Sequence, residues 1–189
     1  MKELSLNILD IAQNSITAGA KLTEITIRET EDEMVISVSD NGCGMSKELL
    51  ASVSDPFCTT RKTRKVGLGI PLFRLAAERL TAEIGHAADI VRLRETDDPV
   101  HHGTVTTAYF FKKHLDFTPL GDIVSTLCTL FQDCRDYDIC FSHILPNGAC
   151  VRADTRDFKS ELGDIPLSNP DVLVWIRDYL KEQYQESNY

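Results

Sequence analysis

The chain has 189 residues, 42% hydrophobic and 26% charged, with 10 Gly and 7 Pro, a composition that excludes collagen-like, low-complexity and largely disordered polypeptides. That length suffices for one ordinary domain, or one with a small appendage, able to bury about 70% of its unfolded surface without staples. Against 20 basic side chains stand 29 acidic ones; the formal charge of −9 argues against sequence-independent nucleic-acid binding, which needs a net basic face.

From the start of the chain, Leu4, Ile8, Leu9, Ile11 and Ile16 recur at helical spacing and predict a helix over residues 3–17, closed by Gly19. Residues 23–29 and 34–39 alternate apolar and polar side chains about an acidic turn, the pattern of a hairpin with one buried face. The second strand runs into Asp40-Asn-Gly-Cys-Gly-Met45, after which Ser46 can cap a short helix to Val53. A loop rich in Thr and basic residues follows, then a helix over residues 68–80 that begins at glycines. Residues 82–94 predict one or two strands, 95–102 a polar loop, and 103–111 a closing strand rich in β-formers.

Beyond Lys112 the composition shifts: residues 113–189 hold 7 basic and 13 acidic side chains, and so carry −6 of the charge. This tail reads as a helix over 120–133, a hairpin over 138–154 turning at Pro146-Asn-Gly148, and a helix over 171–183. No apolar run reaches the roughly 20 residues of a membrane helix, and the opening segment is amphipathic, so a cytoplasmic protein is expected. The six cysteines form no Cys-x-x-Cys or zinc spacing; reduced thiols and no structural metal are expected.

Three segments carry chemistry. Asp10 and Asn14, four apart, share one face of the first helix, with Asn7 a turn earlier. The pattern also fits a plain solvated face, but the Asn14 amide oxygen suits a hard cation such as Mg²⁺, and Asp10 could orient or deprotonate a nucleophile. Asp40 ends a strand whose pattern buries alternate residues, and a buried carboxylate needs donors, for which the exocyclic amino group of adenine would serve; Gly42 and Gly44 let the main chain approach a ligand. Gly67-Leu-Gly69 opens a helix whose N–H groups can hold phosphate, with Arg61, Lys62, Arg64 and Lys65 just upstream. Neither a P-loop nor a Rossmann fingerprint is present.

Taken in order, these segments resemble the GHKL ATPase superfamily of gyrase, Hsp90-type chaperones, histidine kinases, mismatch-repair ATPases and anti-sigma serine kinases. Residues 9–20 are similar to its N box, 40–45 to its G1 box, 55–60 with 67–69 to the F and G2 boxes, and 103–106 to its final Gly-Thr motif. The resemblance spans residues 1–112 and implies an α+β two-layer sandwich, the Bergerat ATP-binding fold, with helices on one face of a mixed sheet and residues 113–189 as a small α+β appendage. It further implies ATP and Mg²⁺ as cofactors: Asn14 would hold the metal and Asp40 would read adenine above Gly42 and Gly44, with Thr104 beside it. Gly67, Leu68 and Gly69 would form the phosphate loop, and Thr59, Thr60, Arg61, Lys62 and Lys65 part of a lid over the phosphates.

Asp10 occupies the position where hydrolysing members carry Glu, one methylene longer, so catalysis by Asp10 with slow turnover is expected. The activity implied is ATP hydrolysis or γ-phosphoryl transfer to a partner protein; the alternative is a non-catalytic ATP-sensing interaction module. Histidine autophosphorylation is not expected, since no dimerising helical hairpin bearing His precedes the first helix, and a tail of this length falls short of the transducer of DNA-repair ATPases. Expected partners are ATP and a regulatory protein, with a homodimer compatible, and neither nucleic acid nor membrane.

Overall fold

A computed structural model describes residues 3–45, 70, 71, 73, 75, 77, 91–93 and 103–187. Helix α1 (Leu4–Thr17) is followed by strands β1 (Leu22–Glu29), β2 (Glu33–Asp40), β3 (Val91–Leu93) and β4 (Thr104–Phe111). Then come helix α2 (Ile123–Phe131), strands β5 (Asp138–Ile144) and β6 (Cys150–Asp154), and helices α3 (Thr155–Leu162) and α4 (Pro170–Glu186). Residues 70, 71, 73, 75 and 77 are helical, inside the segment read as a helix from sequence; the short helix expected after Ser46 lies outside the described residues. The strands form one mixed sheet in the order β3-β4-β2-β1-β5-β6, antiparallel throughout except for the parallel pair β1 and β5.

Period-2 alternation fixes which face is covered. Ile25 and Ile27 of β1, Ile36 and Val38 of β2, Ala108 and Phe110 of β4, and Ile139 and Phe141 of β5 all point to the helical layer and are buried. Against them pack Leu4, Ile8 and Ile11 of α1, Leu127 and Phe131 of α2 and Ile176 and Leu180 of α4, within one continuous apolar cluster. The layered α+β architecture is the one expected from sequence.

The C-terminal region is built into this sheet. Strand β5 lies beside β1, so residues 138–154 widen the sheet by two strands. The N-terminus of α1 has no side-chain cap; its Leu4 and Ser5 N–H groups donate instead to the carbonyls of Pro119 and Leu120, at 3.0 and 2.8 Å. Gly121 makes that approach possible, with φ of +78° and a Cβ position 2.3 Å from Glu3 Oε2. At the far end of β1 the carboxylate of Glu29, 4% exposed, accepts from Lys112 Nζ and pairs with His143 Nε2 at 3.2 Å, while His143 Nδ1 meets Tyr184 OH at 3.0 Å. β1, β5 and α4 and the segment just after β4 are thereby joined through one buried carboxylate that has its partners.

Helix α3 has no counterpart among the elements expected from sequence, although Asp154-Thr-Arg156 reads there as a turn or helix cap, and Asp154 is the cap. Its signal is nonetheless present: Asp154 caps it by accepting from the Arg156 N–H at 2.9 Å, Phe158 and Leu162 supply an apolar i,i+4 pair, and Gly163 ends it at φ +58°. The expected hairpin turn appears at Gly148, φ +85°, with the Leu145 N–H donating to the Ala149 carbonyl at 2.8 Å. Asn169 and Pro170 start α4 as N-cap and first-turn residues. Among the described residues, no helix is long and apolar enough to cross a membrane.

Candidate functional site

Asp40 is the last residue of β2 and faces the helical layer by strand alternation; it is 2% exposed. Its environment is made of donors. Oδ1 accepts from the Gly42 N–H at 2.8 Å, and Oδ2 accepts from Ser15 Oγ at 3.1 Å and from Thr104 Oγ1. Thr104 begins β4, the neighbouring antiparallel strand, and so stands across from Asp40; Ser15 descends from α1. Donors from α1, from the turn after β2 and from β4 thus satisfy this buried carboxylate, which has lost its contact with water.

The turn after β2 has little slack. A Cβ at Gly42 would lie 2.9 Å from the Ala18 carbonyl oxygen and 3.0 Å from Asp40 Oδ1. Gly44 has φ of +70°. Cys43 N–H donates to the Ala18 carbonyl and Gly103 N–H to the Gly42 carbonyl, both at 3.0 Å, tying the turn to α1 on one side and to β4 on the other. Asn41 Oδ1 accepts from the N–H groups of Lys21 and Leu22 at 2.8 and 2.9 Å, which anchors the turn to the start of β1.

Asn14, Asp40, Gly44 and Thr104 line one cleft between α1 and the ends of β2 and β4, together with Ser15 and Thr106. Ile11, Ala18, Met45 and Ile70 are the other described residues of the lining. Of the polar stripe of α1, Asn7 is buried at 2% exposure and Asp10 and Asn14 are half-buried; Ser5 and Ser15 are also turned inward. Asp10 lies one turn before Asn14, half-buried and outside the described lining. Thr59, Thr60, Arg61, Lys62, Lys65, Gly67, Leu68 and Gly69 fall outside the described residues.

Sequence reasoning did not single out Ser15 or the apolar lining. Ser15 follows Asn14 directly, and a small hydroxyl on the inner side of the helix is the readable signal. The apolar residues are indistinguishable by type from core, and only the tertiary placement separates the two.

The cleft has apolar walls, a donor-ringed carboxylate at its floor and one amide on the helix above, an arrangement suited to a flat heterocycle bearing an amino group. Residues 1–114 match the family model of histidine kinase-, DNA gyrase B- and HSP90-like ATPases. Over 72 residues, 38% of its length, the chain is 39% identical to the signal transduction histidine-protein kinase AtoS of Escherichia coli K12 and 35% identical to sporulation kinase C of Bacillus subtilis 168. These matches span 12% and 16% of the relatives' own lengths. Among solved structures, the N-terminal domain of a DNA repair protein superposes with a TM-score of 0.53 at 14% identity, over 87% of this chain and 58% of that one, a likeness of fold. The chain belongs to the histidine kinase-, DNA gyrase B- and HSP90-like ATPase family.

Proposed function

We propose that the chain binds Mg·ATP in the cleft between α1 and the ends of β2 and β4, and hydrolyses it or passes its γ-phosphoryl group to a partner protein. The observation that carries this reading is the state of Asp40. A carboxylate offers about four lone-pair positions; among the described residues Gly42 engages one on Oδ1, and Ser15 and Thr104 engage two on Oδ2, which leaves one on Oδ1 of a residue that lines the cleft. The adenine amino group is a donor of the right kind for it, whereas guanine would bring a carbonyl and repel it. Ile11, Ala18, Met45 and Ile70 provide the apolar contact a purine favours.

In this reading the Asn14 amide oxygen holds Mg²⁺, which keeps its remaining positions for water and phosphate oxygens. Gly42 and Gly44 leave room for the base, and Thr104 holds the Asp40 carboxylate in place. Arg61, Lys62 and Lys65, with Thr59, Thr60 and the Gly67-Leu68-Gly69 run, are assigned to the phosphates and lid on sequence alone. Asp10, on the same helix face as Asn14, accepts the proton of the attacking water or hydroxyl. Residues 1–112 form the nucleotide-holding unit, and residues 113–189 complete its sheet while serving the partner.

A second reading, an ATP sensor without turnover, is favoured by the position of Asp10 outside the described cleft lining. Incubation with Mg·ATP, following ADP and transferred phosphate, separates the two. Asp10→Asn is expected to keep nucleotide affinity while lowering turnover by roughly 10²–10⁴. Turnover equal to the wild type would remove Asp10 from the mechanism, and binding with no product in the wild type would establish the sensor.

A further inference from the structure

A second surface lies away from the cleft, on the layer formed by α3 and α4. Trp175 and Tyr179 are 46% and 37% exposed, yet their rings are stacked, with centroids 6.0 Å apart and planes at 25°. Both stand edge-on against the buried ring of Phe158, each at 5.6 Å. Val174 and Ile165, about half exposed, extend the apolar area. The α4 side chains in the described core are Val172, Ile176, Leu180 and Tyr184, and Trp175 and Tyr179 are not among them. Large aromatic side chains fixed before contact have already lost their rotamer freedom, which is what a docking surface needs.

We propose that this face docks a Lys- and Arg-bearing segment of a partner protein. Charge selects the occupant. Asp171, Asp178 and Glu182 fall four before, three after and seven after Trp175, on its stripe of α4. The helix's cations lie on the other flank: Arg177 and Lys181 are near enough to α2 to influence Asp122 and Cys128. On α3 the cations are engaged, Arg156 with Asp154 and Lys159 with Asp138 and the Tyr137 carbonyl. Asp157 and Glu161, exposed on the same helix, take part in none of the described salt bridges. The field over the rings is therefore negative, and a Lys or Arg side chain gains both a ring face and a carboxylate there. A second copy of this chain would set acid against acid, and a nucleic acid or an anionic membrane would be repelled.

Trp175 is the chain's single tryptophan, so its emission reports on this face alone. The full chain would be titrated with a twelve-residue peptide of Leu alternating with Lys and Arg, and with the same peptide carrying Glu at every charged position. The expected result is a saturable change in Trp175 emission with the cationic peptide and none with the acidic one. The double variant Asp178→Lys, Glu182→Lys, checked for wild-type circular dichroism, should weaken cationic binding on the order of tenfold, as should added salt. An absent response, an equal response to both peptides, or unchanged affinity in the folded double variant would overturn the proposal. So would sedimentation showing that Trp175 is covered by a second copy.

Discussion

Substituting Asp40 by Asn changes one atom type at the floor of the cleft and leaves its shape nearly intact. In the folded chain the Gly42 N–H would remain on the amide oxygen in place of Oδ1, at a present distance of 2.8 Å. The new NH₂ would face Ser15 and Thr104, whose hydroxyls can turn their lone pairs toward it, and Ser15 has the Ile11 carbonyl at 3.4 Å as an alternative acceptor. A loss of about 1–2 kcal/mol in stability is therefore expected, from one charge-assisted acceptor exchanged for a neutral group. For ATP the lone pair left to the adenine amino group belongs to Oδ1, where a neutral amide oxygen would replace a carboxylate oxygen. A hydrogen bond to a charged acceptor is worth roughly 1.5–3 kcal/mol and to a neutral one about 0.5–1.5 kcal/mol, so Kd should rise on the order of 5- to 15-fold. Loss of the negative charge also weakens the repulsion of a purine carbonyl, so preference for ATP over GTP should fall. Calorimetric titrations of both nucleotides, with thermal melts to show that the variant is folded, read these effects. ATP affinity within twofold of wild type in a folded variant would refute the role given to Asp40.

Three further substitutions probe the frame around the cleft. Gly103→Ala would place a Cβ 2.0 Å from the Asp40 carbonyl oxygen at a φ of +60°, and should cost on the order of 2–5 kcal/mol in denaturant unfolding. Gln183→Ala removes a side chain that pairs with the Arg152 N–H and carbonyl at 3.0 and 2.9 Å along the outer edge of β6. A loss of about 1–2 kcal/mol and greater concentration-dependent association are expected, read by melts and light scattering. Thr23→Val replaces the one buried hydroxyl that has no hydrogen-bond partner among the described residues with a methyl of similar shape, and should raise the thermal midpoint, a gain of roughly 0.5–1 kcal/mol.

The layout of strands was legible because a period of two survives in the sequence at residues 23–29, 34–39 and 138–145, each with one greasy face. The parallel register of β1 with β5 was not, since no local pattern declares which distant strand will lie alongside. Nor was the capping of α1, where the Pro119 and Leu120 carbonyls replace the side-chain cap that a sequence reading looks for. Beyond the turn or cap legible at Asp154, the α3 helix escaped notice because its charge, Arg156, Asp157, Lys159 and Glu161, masks two apolar positions. At the site, Asp40 and Asn14 stood out as polar residues in apolar surroundings. Thr104 was expected beside Asp40 from the resemblance, whereas Ser15 became meaningful only once Oδ2 of Asp40 was seen to accept from it.

The account rests on adenine nucleotide entering the cleft beneath α1, and isothermal titration of the folded wild-type chain with Mg·ATP tests that most directly. A single saturable site is expected, weaker without Mg²⁺ and much weaker for GTP. A chain that is folded by circular dichroism yet releases no binding heat with ATP at any temperature tried would contradict it.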